Sequence, residues 1–125
     1  MSRIIIVDDS PIIHRLLSTR LVAAGHTVLA CGSDGNEGVA LFKSLDPDLV
    51  LLDVTMPNCD GRESLRQILL FKSSAKVVMV SAIADPTVIA ECLKCGATDF
   101  LSKDRLAEKG YLEEIISRNL PKSAA

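Results

Sequence analysis

Short apolar strands and amphipathic helices alternate five times along this chain of 125 residues, and this alternation limits its fold more than any other feature. It is typical of a parallel sheet with helices on both faces, joined by right-handed crossovers. The first, third and fourth strands are the most apolar, so we expect them in the centre of the sheet. The sequence therefore predicts a doubly wound five-stranded α/β fold with strand order 2-1-3-4-5.

Capping and breaking residues mark several helix ends. Ser10 can cap the first helix with Pro11 at its first position, and Asp34 can cap the second. Asp85 followed by Pro86 begins a later helix. The first helix is expected to bury an apolar stripe of Ile13, Leu16, Leu17 and Leu21, and the fourth to run through Val88, Ile89, Cys92 and Leu93.

Composition bounds the protein class. The chain is 48% apolar and 24% charged, which predicts one globular domain, residues 1–121, with a frayed C-terminal tail at residues 122–125. A formal net charge of -2 implies no strong attraction to nucleic acid or to an anionic membrane. No apolar run reaches the ~18 residues of a transmembrane helix. No secretory signal is visible at the N-terminus, so a cytoplasmic protein is expected.

Polar residues follow four of the predicted strands. Asp8 and Asp9 follow the first, Asp53 the third, Ser81 the fourth and Lys103 the fifth. The carboxyl ends of parallel strands lie at one edge, and ligands bind there at the point where strand order reverses. We therefore expect these side chains to converge on one site.

Three carboxylates, a hydroxyl and an ammonium suit a divalent metal and a phosphoryl group. Clustered carboxylates repel one another, and a hard cation such as Mg²⁺ relieves that repulsion. One carboxylate could then act as a nucleophile and form an acyl phosphate. Lys103 would neutralise phosphoryl charge, and Ser81 would donate a hydrogen bond to a phosphoryl oxygen.

With these residues in place, the whole chain resembles the receiver domain of two-component response regulators, and most closely the stand-alone receivers similar to the chemotaxis response regulator. The resemblance implies the flavodoxin-like receiver fold. It assigns a role to seven positions: the acidic pair to Asp8 and Asp9, the phospho-acceptor to Asp53, the switch hydroxyl to Ser81 with its small neighbour Ala82, the site lysine to Lys103, and the aromatic switch to Phe100.

The resemblance also implies cofactor and partners. Asp9 would bind Mg²⁺ directly and Asp8 mainly through water, with Asp53 and the backbone carbonyl of Thr55 as further ligands. Mn²⁺ could replace Mg²⁺. A sensor histidine kinase or phosphotransfer protein would donate the phosphoryl group. A downstream protein would read the face formed by the fourth helix, fifth strand and fifth helix, and a phosphorylation-dependent homodimer could form there.

One position departs from the family pattern. The family lysine is usually followed by proline through a cis peptide, whereas Asp104 follows Lys103 here. A cis bond before a residue other than proline costs about 3 kcal/mol. A trans bond with a locally shifted loop is therefore predicted, and Asp104 is a candidate cap for the last helix.

Two other function classes stay open. A small aspartyl-phosphate phosphohydrolase of the haloacid dehalogenase type would need a second aspartate two residues after the nucleophile, where this chain has Thr55. A receiver-like docking module would work without phosphorylation. Loss of a site residue would have favoured it, and all of those residues are present.

Two remaining features have ordinary interpretations. Cys92 and Cys95 have the spacing of a redox or zinc pair, but they lie inside a predicted helix with no second pair of ligands, which favours packing or surface thiols. His14 lies on the first helix, and we expect it to be a solvated helix residue rather than a phosphohistidine.

Overall fold

The computed structural model describes residues 2–54, 60–82 and 85–120. The strands are β1 (Arg3–Val7), β2 (Thr27–Gly32), β3 (Leu49–Asp53), β4 (Val77–Ser81) and β5 (Asp99–Ser102). The helices are α1 (Pro11–Ala23), α2 (Gly35–Leu45), α3 (Gly61–Phe71), α4 (Pro86–Lys94) and α5 (Tyr111–Asn119). A short 3-10 helix, Lys103–Arg105, lies between β5 and α5. The predicted tail at residues 122–125 lies outside the described residues, and the domain boundary at residue 121 stays a prediction.

The five strands form one parallel sheet in the order β2-β1-β3-β4-β5, which confirms the predicted topology. Every residue of β3 and β4 is buried, as expected for strands covered by helices on both faces. The register pairs Val7 with Leu52, and Ser81 with Ser102. The carboxyl ends of the strands are therefore aligned along one edge.

Side-chain alternation along the strands divides the core into two layers. In β1, Ile4 and Ile6 face a layer that includes Leu17 of α1 and Ile115 of α5. Ile5 and Val7 face the opposite layer, which contains residues of α2, α3 and α4. Because a strand alternates its side chains with a period of two, continuous apolar strands supply both layers at once.

Side-chain caps fix where the helices begin. Ser10 accepts a hydrogen bond from the Ile13 amide at 3.4 Å, and Asp34 accepts one from the Glu37 amide at 2.8 Å. Asp85 caps α4 through the Thr87 amide at 2.7 Å. The predicted caps Ser10 and Asp34 are confirmed, and α4 begins directly after Asp85, as predicted. Each lies shortly after a strand, so it also determines how soon the chain turns away from the carboxyl edge.

The predicted apolar stripe of α1 is wider than the buried one. Leu16 is 39% exposed, so its assignment to the buried stripe is wrong. Leu93 lies on α4 as predicted and is 45% exposed. Successive helical residues are rotated by about 100°, and each leucine lies beside a residue that already faces the sheet. These residues are Leu17 in α1 and Cys92 in α4, which are 1% and 0% exposed.

The described cysteines occupy quite different environments. Cys92 is fully buried in the layer of α2, α3 and α4, and burial raises the pKa of its thiol. Cys95 is exposed just after the last residue of α4. Cys92 therefore contributes to packing and Cys95 is a surface thiol. Cys92 lies inside α4 as predicted, whereas Cys95 lies one position beyond its end.

Candidate functional site

The carboxyl edge of the sheet brings together side chains from four strands. Asp8 follows β1, Asp53 ends β3, Ser81 ends β4 and Lys103 follows β5. Strand order reverses between β1 and β3, because the chain continues from β1 to one side of the sheet and later returns to the other. The two strands at that reversal carry the acidic residues.

The three predicted acidic residues form a cluster. One carboxylate oxygen from each of Asp8, Asp9 and Asp53 lies within 4.8 Å of the others. Asp8 is 2% exposed and Asp53 is 5% exposed, whereas Asp9 is exposed to solvent. The chain turn after β1 therefore lets both neighbouring aspartates face the same point.

Lys103 reaches two of these carboxylates. Its Nζ lies 2.7 Å from Asp8 Oδ2 and 3.5 Å from Asp53 Oδ2, and its side chain is 17% exposed. Burial by itself lowers the pKa of Lys103, but contact with Asp8 and the charges of Asp53 and Asp8 outweigh burial, so the pKa is raised above its ordinary 10.5. Lys103 is therefore a permanent cation at neutral pH.

The donor set fits a hard divalent cation. Three carboxylates face one ammonium, which leaves the cluster with excess negative charge. Asp8 Oδ1 accepts the Ser10 amide at 2.9 Å, while the only donor near buried Asp8 Oδ2 among the described residues is Lys103 Nζ, 2.7 Å away. A buried carboxylate oxygen in this state is a favourable ligand for Mg²⁺ or Mn²⁺. Thr55, the predicted carbonyl ligand, lies outside the described residues.

Ser81 and Ala82 lie beside the acidic cluster in the sheet. Ser81 is 7% exposed at the end of β4, and Ala82 is exposed. The Val54 amide donates to the Val80 carbonyl at 3.0 Å, so the residues that follow Asp53 and precede Ser81 are joined. The hydroxyl and the phospho-acceptor candidate therefore stand on neighbouring strands.

Phe100 belongs to the core in this structure. It is 8% exposed, lies opposite Met79 in the sheet register, and is part of the buried cluster that contains Cys92 and Ala97. Its ring is therefore on the side of the sheet covered by α4. Its role as an aromatic switch stays a prediction.

The position after Lys103 behaves partly as predicted. The Lys103–Asp104 bond is trans, since residues 2–54, 60–82 and 85–120 contain no cis peptide. Asp104 lies in the 3-10 helix and does not cap α5, so that prediction is wrong. The connection between β5 and α5 is too long for Asp104 to reach the start of α5. Gly110 occupies the cap position instead, with φ of 83°.

His14 contributes to the site, although we expected it to be solvated. Its ring Nε2 lies 2.5 Å from the carbonyl oxygen of Asp8 and 3.0 Å from that of Gly32. Both partners are acceptors, so Nε2 carries a hydrogen and donates to them. The spacing of five residues after Asp9 gave no signal for this contact, because α1 must first pack across the ends of β1 and β2.

Comparison with known proteins decides the family. The response regulator receiver domain family matches residues 4–115 of the chain. The chain belongs to the response-regulator receiver family. Chemotaxis protein CheY of Thermotoga maritima is 34% identical over 101 residues, 81% of this chain and 84% of that protein. CheY of Bacillus subtilis is 34% identical over 118 residues, 94% of this chain and 97% of that protein.

Solved structures agree with this receiver fold. The CheX–CheY–BeF3–Mg²⁺ complex of Borrelia burgdorferi contains a chain with 31% identity and a TM-score of 0.87, covering 95% of this chain and 90% of that one. This receiver domain is CheY-like, and domains of that kind are signalling switches rather than conventional enzymes. Within the described part of the receiver, no helix is long and apolar enough to span a membrane.

Proposed function

We propose that this receiver domain accepts a phosphoryl group on Asp53 in a Mg²⁺-dependent reaction. The observation that carries the proposal is the arrangement of three carboxylates within 4.8 Å of one another beside Lys103. Asp53 is the member that ends a central strand and is also within 3.5 Å of the lysine. Asp8 also contacts Lys103, and what distinguishes Asp53 is its place at the end of central strand β3, where the receiver family has its phospho-acceptor.

The donor is a sensor histidine kinase or a phosphotransfer protein that carries phosphohistidine. A carboxylate oxygen of Asp53 forms the new O–P bond while the P–N bond to the donor histidine breaks. The electron pair of that bond stays on the ring nitrogen, which takes a proton from solvent, and the product is an acyl phosphate. Positioning and charge stabilisation supply most of the rate in reactions of this type.

The other site residues stabilise the transferred group. Asp8, Asp9, Asp53 and the Thr55 carbonyl would hold Mg²⁺, which when bound neutralises charge on the carboxylates and the phosphoryl oxygens. Lys103 would exchange part of its contact with Asp53 for a phosphoryl oxygen. Ser81, on the neighbouring strand, would donate its hydroxyl to another oxygen.

Phosphorylation would alter the face formed by α4, β5 and α5. Movement of Ser81 toward the phosphoryl group would shift the end of β4, and the buried ring of Phe100 lies on the adjacent strand. A downstream protein, or a second copy of this chain, that binds one state better than the other would read the signal. Only such differential affinity can shift the population.

Intact-mass spectrometry after treatment with acetyl phosphate and Mg²⁺ tests the proposal, with Asp53→Asn as the control. We expect one phosphate adduct that requires Mg²⁺ or Mn²⁺ and is absent from the control. No adduct in the wild-type protein, although Mg²⁺ raises its thermal stability, would overturn the proposal and favour the phosphorylation-independent docking module. Catalytic hydrolysis of an external phosphomonoester such as p-nitrophenyl phosphate would instead indicate a phosphohydrolase.

A further inference from the structure

The segment that carries Lys103 is tied to the rest of the fold by side chains. Eight residues, Lys103–Gly110, connect β5 to α5, and Lys103 is the first of them. Lys103 must reach the carboxylates of Asp8 and Asp53 from this connection. A long flexible side chain holds one position only if the backbone beneath it is fixed.

Tyr111 makes the tie nearest to Lys103. Its phenolic oxygen accepts a hydrogen bond of 2.9 Å from the amide of Ser102, the residue directly before Lys103. Ser102 is 4% exposed, so this amide is shielded from water. Tyr111 is also the first residue of α5, so one hydrogen bond joins the end of β5 to the start of α5 and closes the connection between them.

The ring of Tyr111 is itself held in place. The guanidinium of Arg105 lies over it, with 4.2 Å between the guanidinium carbon and the ring centroid. Arg105 is in turn paired with Glu108, with Nε 3.0 Å from Oε2. The cation over the ring face and the amide at the hydroxyl restrict the phenol from two directions.

Arg20 of α1 holds the middle of the same connection. One guanidinium nitrogen donates to the carbonyl of Leu106, and another lies 3.0 Å from Glu113 Oε1. Leu106 is 5% exposed and belongs to the core layer of α1 and α5. The backbone after Lys103 is therefore fastened to both helices of that layer.

We propose that Tyr111 is a positioning residue for Lys103, holding the lysine backbone through the Ser102 amide so that its ammonium points at the Asp8–Asp53 pair, with Arg20 supporting the same connection from α1. This inference rests on the proposed function for its consequence in phosphoryl transfer. Its structural content, that the Tyr111 hydroxyl determines where Lys103 lies, is independent of that function.

The test is a double-mutant cycle between Tyr111→Phe and Lys103→Gln, measured as the rate constant for phosphorylation by acetyl phosphate at saturating Mg²⁺. Tyr111→Phe removes the hydroxyl and keeps the ring over Arg105. We expect it to lower the rate constant about tenfold, the fold-change that corresponds to one net hydrogen bond. In the Lys103→Gln background the same substitution should have no further effect, because the side chain that it positions is gone.

Two controls separate positioning from general destabilisation. Ile116 lies in the same helix as Tyr111 and is fully buried. Ile116→Val should lose about as much stability as Tyr111→Phe, yet we expect it to leave the rate constant unchanged. Mg²⁺ affinity should be unchanged or slightly tighter in Tyr111→Phe, because a displaced ammonium no longer repels the cation. Arg20→Gln should also lower the rate constant for phosphorylation, but by less than Tyr111→Phe does.

Two results would show that Tyr111 does not position Lys103. A wild-type rate in Tyr111→Phe, or an equal loss in the Lys103→Gln background, would overturn the inference. If the wild-type protein accepts no phosphate, the proposed function fails, and the positioning is then decided by NMR of the Lys103 ammonium in the free protein. Slow ammonium hydrogen exchange that becomes fast in Tyr111→Phe supports the inference, and unchanged exchange overturns it.

Discussion

Gly61 packs directly on the backbone of Asp53. A Cβ atom at position 61 would lie 2.1 Å from the Asp53 carbonyl oxygen and 2.8 Å from the Cα of Val54. The Gly61 amide donates to the Val54 carbonyl at 2.8 Å, which holds the start of α3 against the end of β3. Since both neighbours are backbone, neither can move aside without displacing the candidate phospho-acceptor.

Gly61→Ala is therefore expected to reduce both stability and phosphorylation. We expect a loss of about 3 kcal/mol in the free energy of unfolding, measured by urea denaturation, as for strained overpacking. Phosphorylation by acetyl phosphate should fall at least tenfold. Gly25→Ala is the control. Gly25 has φ of 92° with no atom near its Cβ position and lies away from the site, so alanine there should lower stability through backbone strain and leave phosphorylation unchanged. A Gly61→Ala variant with wild-type phosphorylation would contradict the prediction.

His14 should support the metal site through the backbone of Asp8. His14→Phe keeps the ring and removes both hydrogen bonds, so we expect a loss of about 1–2 kcal/mol in the free energy of unfolding. Mg²⁺ affinity, measured by calorimetric titration, should fall several-fold. His26→Phe is the matched control, because the His26 ring lies outside the acidic cluster. Equal Mg²⁺ affinities in the two variants would contradict the role of His14.

The negative charge of Asp9 should lower the free energy of unfolding of the metal-free protein. It is the exposed member of a cluster with excess negative charge, so Asp9→Asn relieves repulsion. In EDTA we expect the variant to unfold with a free energy about 1 kcal/mol higher than the wild type, the scale of a partly solvated charge pair. The additional stability gained on adding Mg²⁺ should be smaller than in the wild type.

Glu37→Gln is the control for this measurement, since Glu37 is exposed and makes no ion pair among the described residues. It removes one carboxylate from the chain without touching the cluster. If Asp9→Asn is less stable than the wild type in EDTA, repulsion within the cluster is not the dominant effect.

Asp99 should make the fold sensitive to acid. Burial by itself raises its pKa, but hydrogen bonds from Arg118, Asn119 and the Phe100 amide outweigh burial and hold the pKa below its ordinary 3.8. Because the folded-state pKa is depressed, the stabilisation is fully present above pH 3.8 and is lost as the pH falls through the folded-state pKa. The difference in unfolding free energy between the wild type and Asp99→Asn should therefore shrink at acid pH.

Urea denaturation from neutral pH down to about pH 2 measures this difference. Asp104→Asn is the comparison, because Asp104 is exposed and makes no ion pair in the described part of the chain. This substitution removes one carboxylate and leaves the contacts of Asp99 with Arg118 and Asn119 in place. A constant difference for Asp99→Asn across the range would show that the Asp99 contacts carry no pH-dependent stability.

The sequence predicted the elements that depend on local patterns. Ser10 and Asp34 cap the helices that they were expected to cap, and α4 begins after Asp85 as expected, because capping needs only a suitable side chain just before the first turn. The apolar runs of β1, β3 and β4 predicted central strands for a similar reason. Asp104 failed as a cap because the length of an irregular connection is not written in any local pattern.

The sequence by itself determined the strand order and the residues that meet at the carboxyl edge, because period and polarity repeat along the chain and parallel strands align their ends. Only the tertiary structure decided the contacts across that edge, such as His14 with the Asp8 carbonyl, Gly61 with the Asp53 backbone, and Tyr111 with the Ser102 amide. In each contact, a side chain or a glycine Cα lies against the backbone of another part of the fold. Such contacts depend on how helices pack over the sheet, which no single segment encodes.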